Sequence, residues 1–230
     1  MKLYFMKLLE TILNDPKSIA SIIEHTNVSV NSREKDIVKL CKEVLKYKFY
    51  AAVTLPYYSK LVSKLLKGRA KVVTVIGFPY GVQTTDAKVT EVKSVLDYVD
   101  EFDMIMNRTA FSNKDYRYVV NDIKAVVKAA GKKIVKVIIE TPELSYKEIK
   151  IASRLVAESG AHFVKTAVGY SGPAKVEHVK IMKSVVKDKV KIKASGGIKN
   201  FNQALEMIKA GADRIGTSRG VDIIKSIPKK

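Results

Sequence analysis

At 230 residues, 47% of them apolar and 28% charged, the chain can build one large core, which excludes both a disordered chain and a small disulfide-stapled one. Its net charge of +19 would draw nucleic acid, anionic membranes and phosphorylated metabolites alike. The lysines are nevertheless scattered along the whole chain, with no basic arm, zinc-finger spacing or aromatic-basic RNA-binding pattern, so most of the charge reads as solvated surface and no nucleic-acid partner is expected.

The pattern opens with an amphipathic helix over residues 1–13, which contains Glu10 and lacks a small-residue cleavage site, so it reads as a packing helix and not as a signal peptide. An apolar strand over 19–23 ends in Glu24-His25-Thr26. Asn31 as N-cap, with Glu34 at the reciprocal position, opens a helix to Tyr47. That helix holds Cys41, the single cysteine, which is expected in the core; without a second cysteine no intramolecular disulfide forms, and this fits a reducing, cytoplasmic compartment. A strand over 50–55 stops at Pro56, and a helix follows over 57–66. Lys71–Ile76 is a third strand, broken by Gly77-Phe78-Pro79, and Thr84 or Thr85 caps a helix to Tyr98.

A fourth strand over 102–106 carries Asp103 inside an apolar run. Val119, Val120, Ile123, Val126 and Val127 recur at helical spacing before Gly131, a C-terminal cap. The fifth strand covers 134–139. Ser145 and Glu148 form a capping-box pattern at the start of a helix through Ser159. The sixth strand is the run Phe163-Val164-Lys165-Thr166-Ala167-Val168-Gly169, and the seventh contains Lys193. A helix from Phe201 to Ala210 closes at Gly211, the eighth strand covers 213–216, and a short helix ends the pattern. No apolar stretch approaches the ~20 residues that span a bilayer. Eight near-continuous apolar strands alternating with amphipathic helices predict an α/β fold, a single (β/α)8 barrel over residues 1–230 with a short extra N-terminal helix, a doubly wound open sheet being the fallback.

Three lysines stand out from those on polar helix faces: Lys136 in Ile134-Val135-Lys136-Val137-Ile138, Lys165, and Lys193 in Ile192-Lys193-Ala194-Ser195-Gly196-Gly197. A lysine in a doubly covered strand is costly as an ammonium, and the same desolvation makes it nucleophilic near neutral pH, as imine chemistry requires. Strand alternation sets Asp103 and Lys193 on the opposite face from their apolar neighbours. A barrel interior seldom spends three lysines and an aspartate without a function, although satisfied core ion pairs would give the same pattern. Glycines gather at the ends of the last strands: Gly169, Gly196-Gly197 and Gly216, followed by Thr217-Ser218-Arg219-Gly220. They mark a phosphate site of the kind barrels build from their last loops. His25, His162 and His178 form no metal-ligand set, and no G-x-S-x-G elbow is present. His162 and His178 read as structural or exposed, while His25 stands at a strand end.

The stretches Thr74-Val75-Ile76-Gly77-Phe78-Pro79, Val135-Lys136-Val137-Ile138-Ile139-Glu140-Thr141, Phe163-Val164-Lys165-Thr166, Lys193-Ala194-Ser195-Gly196-Gly197-Ile198 and Ala210-Gly211-Ala212-Asp213-Arg214-Ile215-Gly216-Thr217-Ser218 resemble the deoxyribose-phosphate aldolase family in order over nearly the whole chain. The resemblance implies a class I aldolase, without metal or other cofactor, that cleaves 2-deoxy-D-ribose 5-phosphate reversibly to acetaldehyde and D-glyceraldehyde 3-phosphate. By position it implies that Lys165 forms the Schiff base, that Lys193 holds down its pKa, that Asp103 relays protons and that Lys136 is a further lysine of the site. The substrate and phosphate positions expected are Thr166, Gly169, Gly196, Gly197, Gly216, Ser218 and Arg219, of which Gly169, Gly196, Gly197 and Ser218 match the family's phosphate cradle. The partners expected are a small phosphorylated sugar and aldehydes, with further copies of the chain in a homodimer or homotetramer.

The chain also departs from the family's pattern. Ala167 and Val168 stand where two hydroxyl residues are usual, Glu24 where aspartate is usual, and Leu55 where asparagine is usual. A C-terminal tyrosine is absent from the chain as given, and Arg219 replaces a small residue. These changes bear on substrate range and rate. The alternatives are a Schiff-base aldolase for another phosphorylated sugar and a non-catalytic phosphate-binding barrel.

Overall fold

A computed structural model of the chain describes residues 2–228. Eight parallel strands close in sequence order into a barrel: β1 (Ile23–Asn27), β2 (Ala51–Thr54), β3 (Lys71–Ile76), β4 (Glu101–Ile105), β5 (Ile134–Ile138), β6 (Phe163–Lys165), β7 (Lys191–Ser195) and β8 (Arg214–Thr217), with β8 pairing β1. The helices are α1 (Lys2–Asn14), α2 (Glu34–Tyr47), α3 (Ser59–Leu66), α4 (Thr85–Val95), α5 (Arg108–Ser112), α6 (Tyr116–Ala130), α7 (Tyr146–Glu158), α8 (Val176–Val186), α9 (Phe201–Lys209) and α10 (Gly220–Lys225). No helix among the described residues is long and apolar enough to cross a membrane.

Three local expectations are corrected. Residues Pro16–Ile22 form a 3-10 helix and not a strand: the Asp15 side chain accepts from the Lys17 N–H, and Pro16, already fixed in a helical φ, occupies the first position. The N-cap of α2 is Arg33, not Asn31, because Asp36 rather than Glu34 reaches back to the backbone N–H of the cap, at 2.9 Å. Helix α8 occupies a segment to which the pattern assigned no element. Its N-cap position is Lys175, which makes no side-chain cap, and Gly172-Pro173 just before it read as loop. Elsewhere the caps are as read: Thr84 bonds the Ala87 N–H, Ser145 and Glu148 form the reciprocal box, and Gly131 ends α6 at φ 64°.

The main core lies between the barrel's outer face and the helices. Phe102 and Met104 belong to it, whereas Asp103 between them faces the other way, into the barrel. Cys41 is buried in the core as expected, and burial pushes its thiol up to about 11. The barrel interior departs from the usual stacked layers of branched apolar side chains. Ala51, Val53 and Val73 form an apolar cluster there, in register with Glu24, Thr26 and Glu101 of the neighbouring strands. Val75, Ile138 and Phe163 share the inner face in register with Asp103, Lys165 and Lys136, so charged side chains stand among apolar ones.

One helical lysine is not the solvated residue its setting suggests. Lys88 of α4 is fully buried, bonding Asp122 of α6 at 2.6 Å and the Ile105 carbonyl at 3.2 Å. Asp122 also accepts from Thr85, and Glu91 accepts from the Gly77 N–H. This cluster ties α4 and α6 to the carboxyl ends of β3 and β4, beside the mouth of the barrel.

Candidate active site

The carboxyl ends of the strands open on a cavity of about 590 Å³. Its wall includes His25 from β1, Val53 and Val75, Lys165 at the end of β6, Ser195 of β7, and Gly169, Gly196, Gly197, Gly216, Ser218 and Arg219 from the last strands and loops. Lys136, Lys193 and Asp103 lie beneath this wall, fully buried. Of the three strand lysines, only Lys165 reaches the cavity.

Register brings the buried charges together. Asp103 pairs with Lys136 across β4 and β5, and Lys165 with Lys193 across β6 and β7, so all four share the inner face. Asp103 Oδ2 accepts from Lys165 Nζ at 2.7 Å and from Lys193 Nζ at 2.6 Å, while its Oδ1 accepts from Lys136 Nζ at 3.1 Å. Burial alone would raise the Asp103 carboxyl, but these three ammonium groups outweigh it and hold the carboxyl well below the usual range. Lys136, surrounded by Asp103, Glu24 and Glu101, is raised despite its burial. Lys165 goes the other way. Desolvation lowers it, Asp103 pulls it back up and Lys193 pushes it down again, leaving it at about 8. Burial is the larger lowering cause and Lys193 the smaller, the two causes expected from the sequence.

Residues that the pattern did not single out complete the cluster. Glu24, noted only as a departure, contacts Lys136 at 3.3 Å, Lys193, and Arg214 at 3.1 Å. Glu101 accepts from Lys136 at 2.5 Å and from the Tyr50 hydroxyl at 2.5 Å. Arg214 reaches Glu101 at 3.3 Å and lies over the Tyr50 ring at 3.5 Å from its centroid. The alternation that marks Asp103 marks Glu101 equally, two residues earlier on the same face. Its position at the strand start is what hid it.

The expected phosphate positions divide. Gly169, Gly196, Gly197, Gly216, Ser218 and Arg219 all line the cavity. Gly196 and Gly197 hold φ of 104° and 74°, and a Cβ on Gly197 would stand 2.8 Å from Pro173. Arg219 is exposed and engages Asp222 at 3.0 Å. Thr166 stands apart: it is fully buried away from the wall, and its hydroxyl donates to the Ser195 carbonyl at 2.7 Å and accepts the Ser195 N–H at 2.8 Å, tying β6 to β7. Of the two residues in place of hydroxyls, Ala167 is fully buried and Val168 lines the cavity, so one of the two losses falls on the cavity wall. His25 bonds Glu43 at 2.9 Å, His178 bonds Thr141 at 2.9 Å, and His162 accepts the Val135 N–H at 3.1 Å. Among the described residues, no three His, Cys, Asp or Glu side chains are grouped to hold a metal ion.

Gly216 has a role that its place among the glycines did not suggest. A Cβ there would lie 2.7 Å from Lys193 Cε and 2.9 Å from Ser195 Cβ. The end of a lysine usually yields, but this one is pinned by Glu24 and Asp103. Gly216→Ala is therefore expected to displace Lys193, lowering kcat by about 10- to 100-fold and stability by about 1–3 kcal/mol. Steady-state kinetics beside thermal unfolding check both.

The family profile described as DeoC/LacD family aldolase matches residues 18–226. The chain belongs to this family of aldolases. It is 47% identical over 219 residues to the deoxyribose-phosphate aldolase of Thermococcus kodakarensis, covering 92% of this chain and 98% of that protein. It is 46% identical over 215 residues to that of Dictyoglomus turgidum, with the same coverage. Among solved structures, the tetrameric deoxyribose phosphate aldolase from Aeropyrum pernix superposes with a TM-score of 0.88 at 31% identity, over 96% of each chain. The (β/α)8 barrel of this aldolase is thus shared with the relatives, and the charged barrel interior lies within the matched span.

Proposed function

We propose that this aldolase cleaves 2-deoxy-D-ribose 5-phosphate reversibly to acetaldehyde and D-glyceraldehyde 3-phosphate through a Schiff base on Lys165. The observation that carries the reading is that Lys165 is the one strand lysine on the cavity wall, with its amine at about 8. The names of the relatives support the substrate. The neutral Nζ attacks the C1 aldehyde of the open-chain sugar, and loss of water gives the iminium. The C3 hydroxyl gives up its proton, the C2–C3 bond breaks, and its electrons pass into the iminium to leave an enamine. Protonation of the enamine at C2 and hydrolysis release acetaldehyde and restore the lysine.

Asp103 is the residue assigned to proton relay, through water, with Lys193 beside it. As an ion held down by three ammonium groups it is a weak base. When the iminium becomes a neutral enamine, one of those cations disappears and the basicity of Asp103 rises, at the step that takes the hydroxyl proton. Lys136 holds the other oxygen of Asp103. The phosphate is assigned to the wall of Gly169, Gly196, Gly197, Gly216, Ser218 and Arg219. Assembly with further copies of the chain is part of this reading, supported by the tetramer of the A. pernix relative. So is a cytoplasmic setting, supported by the single, buried cysteine.

Borohydride reduction in the presence of 2-deoxyribose 5-phosphate, followed by peptide mass mapping, tests the reading. An ethyl adduct on Lys165 is expected. Cleavage without any adduct would overturn the Schiff base, and the absence of both would overturn the substrate.

A further inference from the structure

The contacts inside the barrel form a closed ring of alternating charge. From Asp103 Oδ2 it runs to Lys193, to Glu24 Oε2, across that carboxylate to Arg214 Nη1, to Glu101 Oε2, to Lys136 Nζ and back to Asp103 Oδ1. Three cations and three carboxylates alternate, so the ring is neutral in itself. Lys165 hangs from it as a seventh charge, bonded to Asp103 alone among the ring's members. Asp103 in the upper half bonds the reacting amine, and the lower half, Glu101 and Arg214, closes the ring from below. Glu101 sits two residues before Asp103 on the same face, about 6.6 Å further from the mouth. Neither Glu101 nor Arg214 lines the cavity.

We propose that Glu101 and Arg214 are positioning residues that close this ring and keep it neutral beneath Lys165, so fixing the pH at which Lys165 becomes a nucleophile. The inference rests on the reading of Lys165 as the Schiff-base lysine. The groups within electrostatic reach of Lys165 are Asp103 from β4, Lys193 from β7, Glu24 from β1 and Glu140 just beyond β5. Each of the first three is a ring member whose partner is fixed by the next. A neutral ring offers no net attraction to a seventh charge, and Lys165, with a single carboxylate partner, is the cation that gives way. Tyr50 backs the closure, donating to Glu101 Oε1 while its ring faces the Arg214 guanidinium.

The ring makes an opposed pair of expectations. Glu101→Gln leaves a net positive ring, disfavours the Lys165 ammonium and moves the acid limb of kcat/KM to lower pH by about 0.5–1 unit. Arg214→Gln leaves a net negative ring and moves the limb to higher pH by a similar amount. The double variant is neutral again, and its limb returns to within a few tenths of the parent. A merely structural role would lower folding yield or kcat in both single variants without opposed shifts or restoration. Because either single variant could fail to fold, Tyr50→Phe, which only loosens Glu101, provides a milder third arm with a smaller downward shift.

Each variant is also labelled with an amine-reactive reagent across the pH range, and modification of Lys165 is read by peptide mass mapping. This readout needs no substrate. Opposed shifts in labelling with no aldol cleavage would sustain the proposal while sinking the aldolase reading. Shifts in the same direction, or none in folded variants, would overturn the proposal even if cleavage is intact.

Discussion

Lys165→Leu is expected to reduce aldol cleavage at least about 1,000-fold while leaving the barrel folded. No other strand lysine lies on the cavity wall, so none can take over the imine. Stability should not suffer. Carrying a buried ammonium whose pKa has fallen to about 8 costs on the order of 3 kcal/mol at neutral pH relative to the ordinary lysine value. Leucine removes that cost and fills the apolar stem's space, while the ring of Asp103, Lys193, Glu24, Arg214, Glu101 and Lys136 keeps its balance. The sign of the pH dependence follows. A lysine whose folded pKa is depressed makes the protein gain stability as pH rises from about 8 toward the unfolded value, so the parent should gain on the leucine variant in that window. Denaturant unfolding at pH 7 and pH 10, beside a coupled cleavage assay, checks both halves. Residual turnover near the parent's would remove Lys165 from the mechanism.

Asp103→Asn should separate imine formation from bond cleavage. The substitution keeps the shape but removes the charge shared by Lys136, Lys165 and Lys193. Breaking a buried ionic cluster by removing one partner costs about 3–5 kcal/mol. Asp103 has a folded pKa well below its unfolded value, so its contribution is fully present above the ordinary carboxylate pKa and is lost as pH falls through the folded one. The stability gap between parent and variant should accordingly be full at pH 7 and shrink below about pH 4. Chemically, Asp103 is the group that raises Lys165, so without it the amine is neutral at lower pH and borohydride trapping of the first imine should survive. Turnover should fall about 100- to 10,000-fold, because the proton of the C3 hydroxyl has lost its acceptor. Single-turnover cleavage, trapping and unfolding at pH 7 and 3 together decide it. Equal loss of trapping and cleavage would place Asp103 in imine formation instead of the relay.

Much of the architecture was legible residue by residue. Apolar runs located seven of the eight strands and period-3.6 patterns most of the helices, and Thr84, Ser145 and Gly131 marked element ends by the bonds that they do make. The misreadings came where local signals compete. Ile19 and Ile22 read as a strand because they are apolar, but Asp15 and Pro16 impose a 3-10 turn first. Helix α8 escaped because it begins at Lys175 without a capping side chain. In the site, Lys165, Lys193, Lys136 and Asp103 stood out because a charge inside an apolar run is conspicuous. Glu101 and Arg214 did not, since each occupies the first position of its strand, where a charge usually means solvent. Lys88 was invisible because a lysine in a helix usually means solvent, and only Asp122 from α6 and the Ile105 carbonyl explain its burial.

What the sequence by itself determined is therefore most of the elements, the order of the barrel and the four conspicuous charged residues Asp103, Lys136, Lys165 and Lys193, because these depend on spacing along one strand or helix. Only the tertiary structure decided which lysine meets the cavity, that Thr166 bonds β7 beneath the wall, that Gly216 makes room for Lys193, and that six charges from five strands form one balanced ring with Lys165 outside it. These depend on register between strands far apart in the chain, and on closure of β8 against β1. The Coulomb energy that selects the reacting amine arises only when those strands meet in a space from which water is excluded.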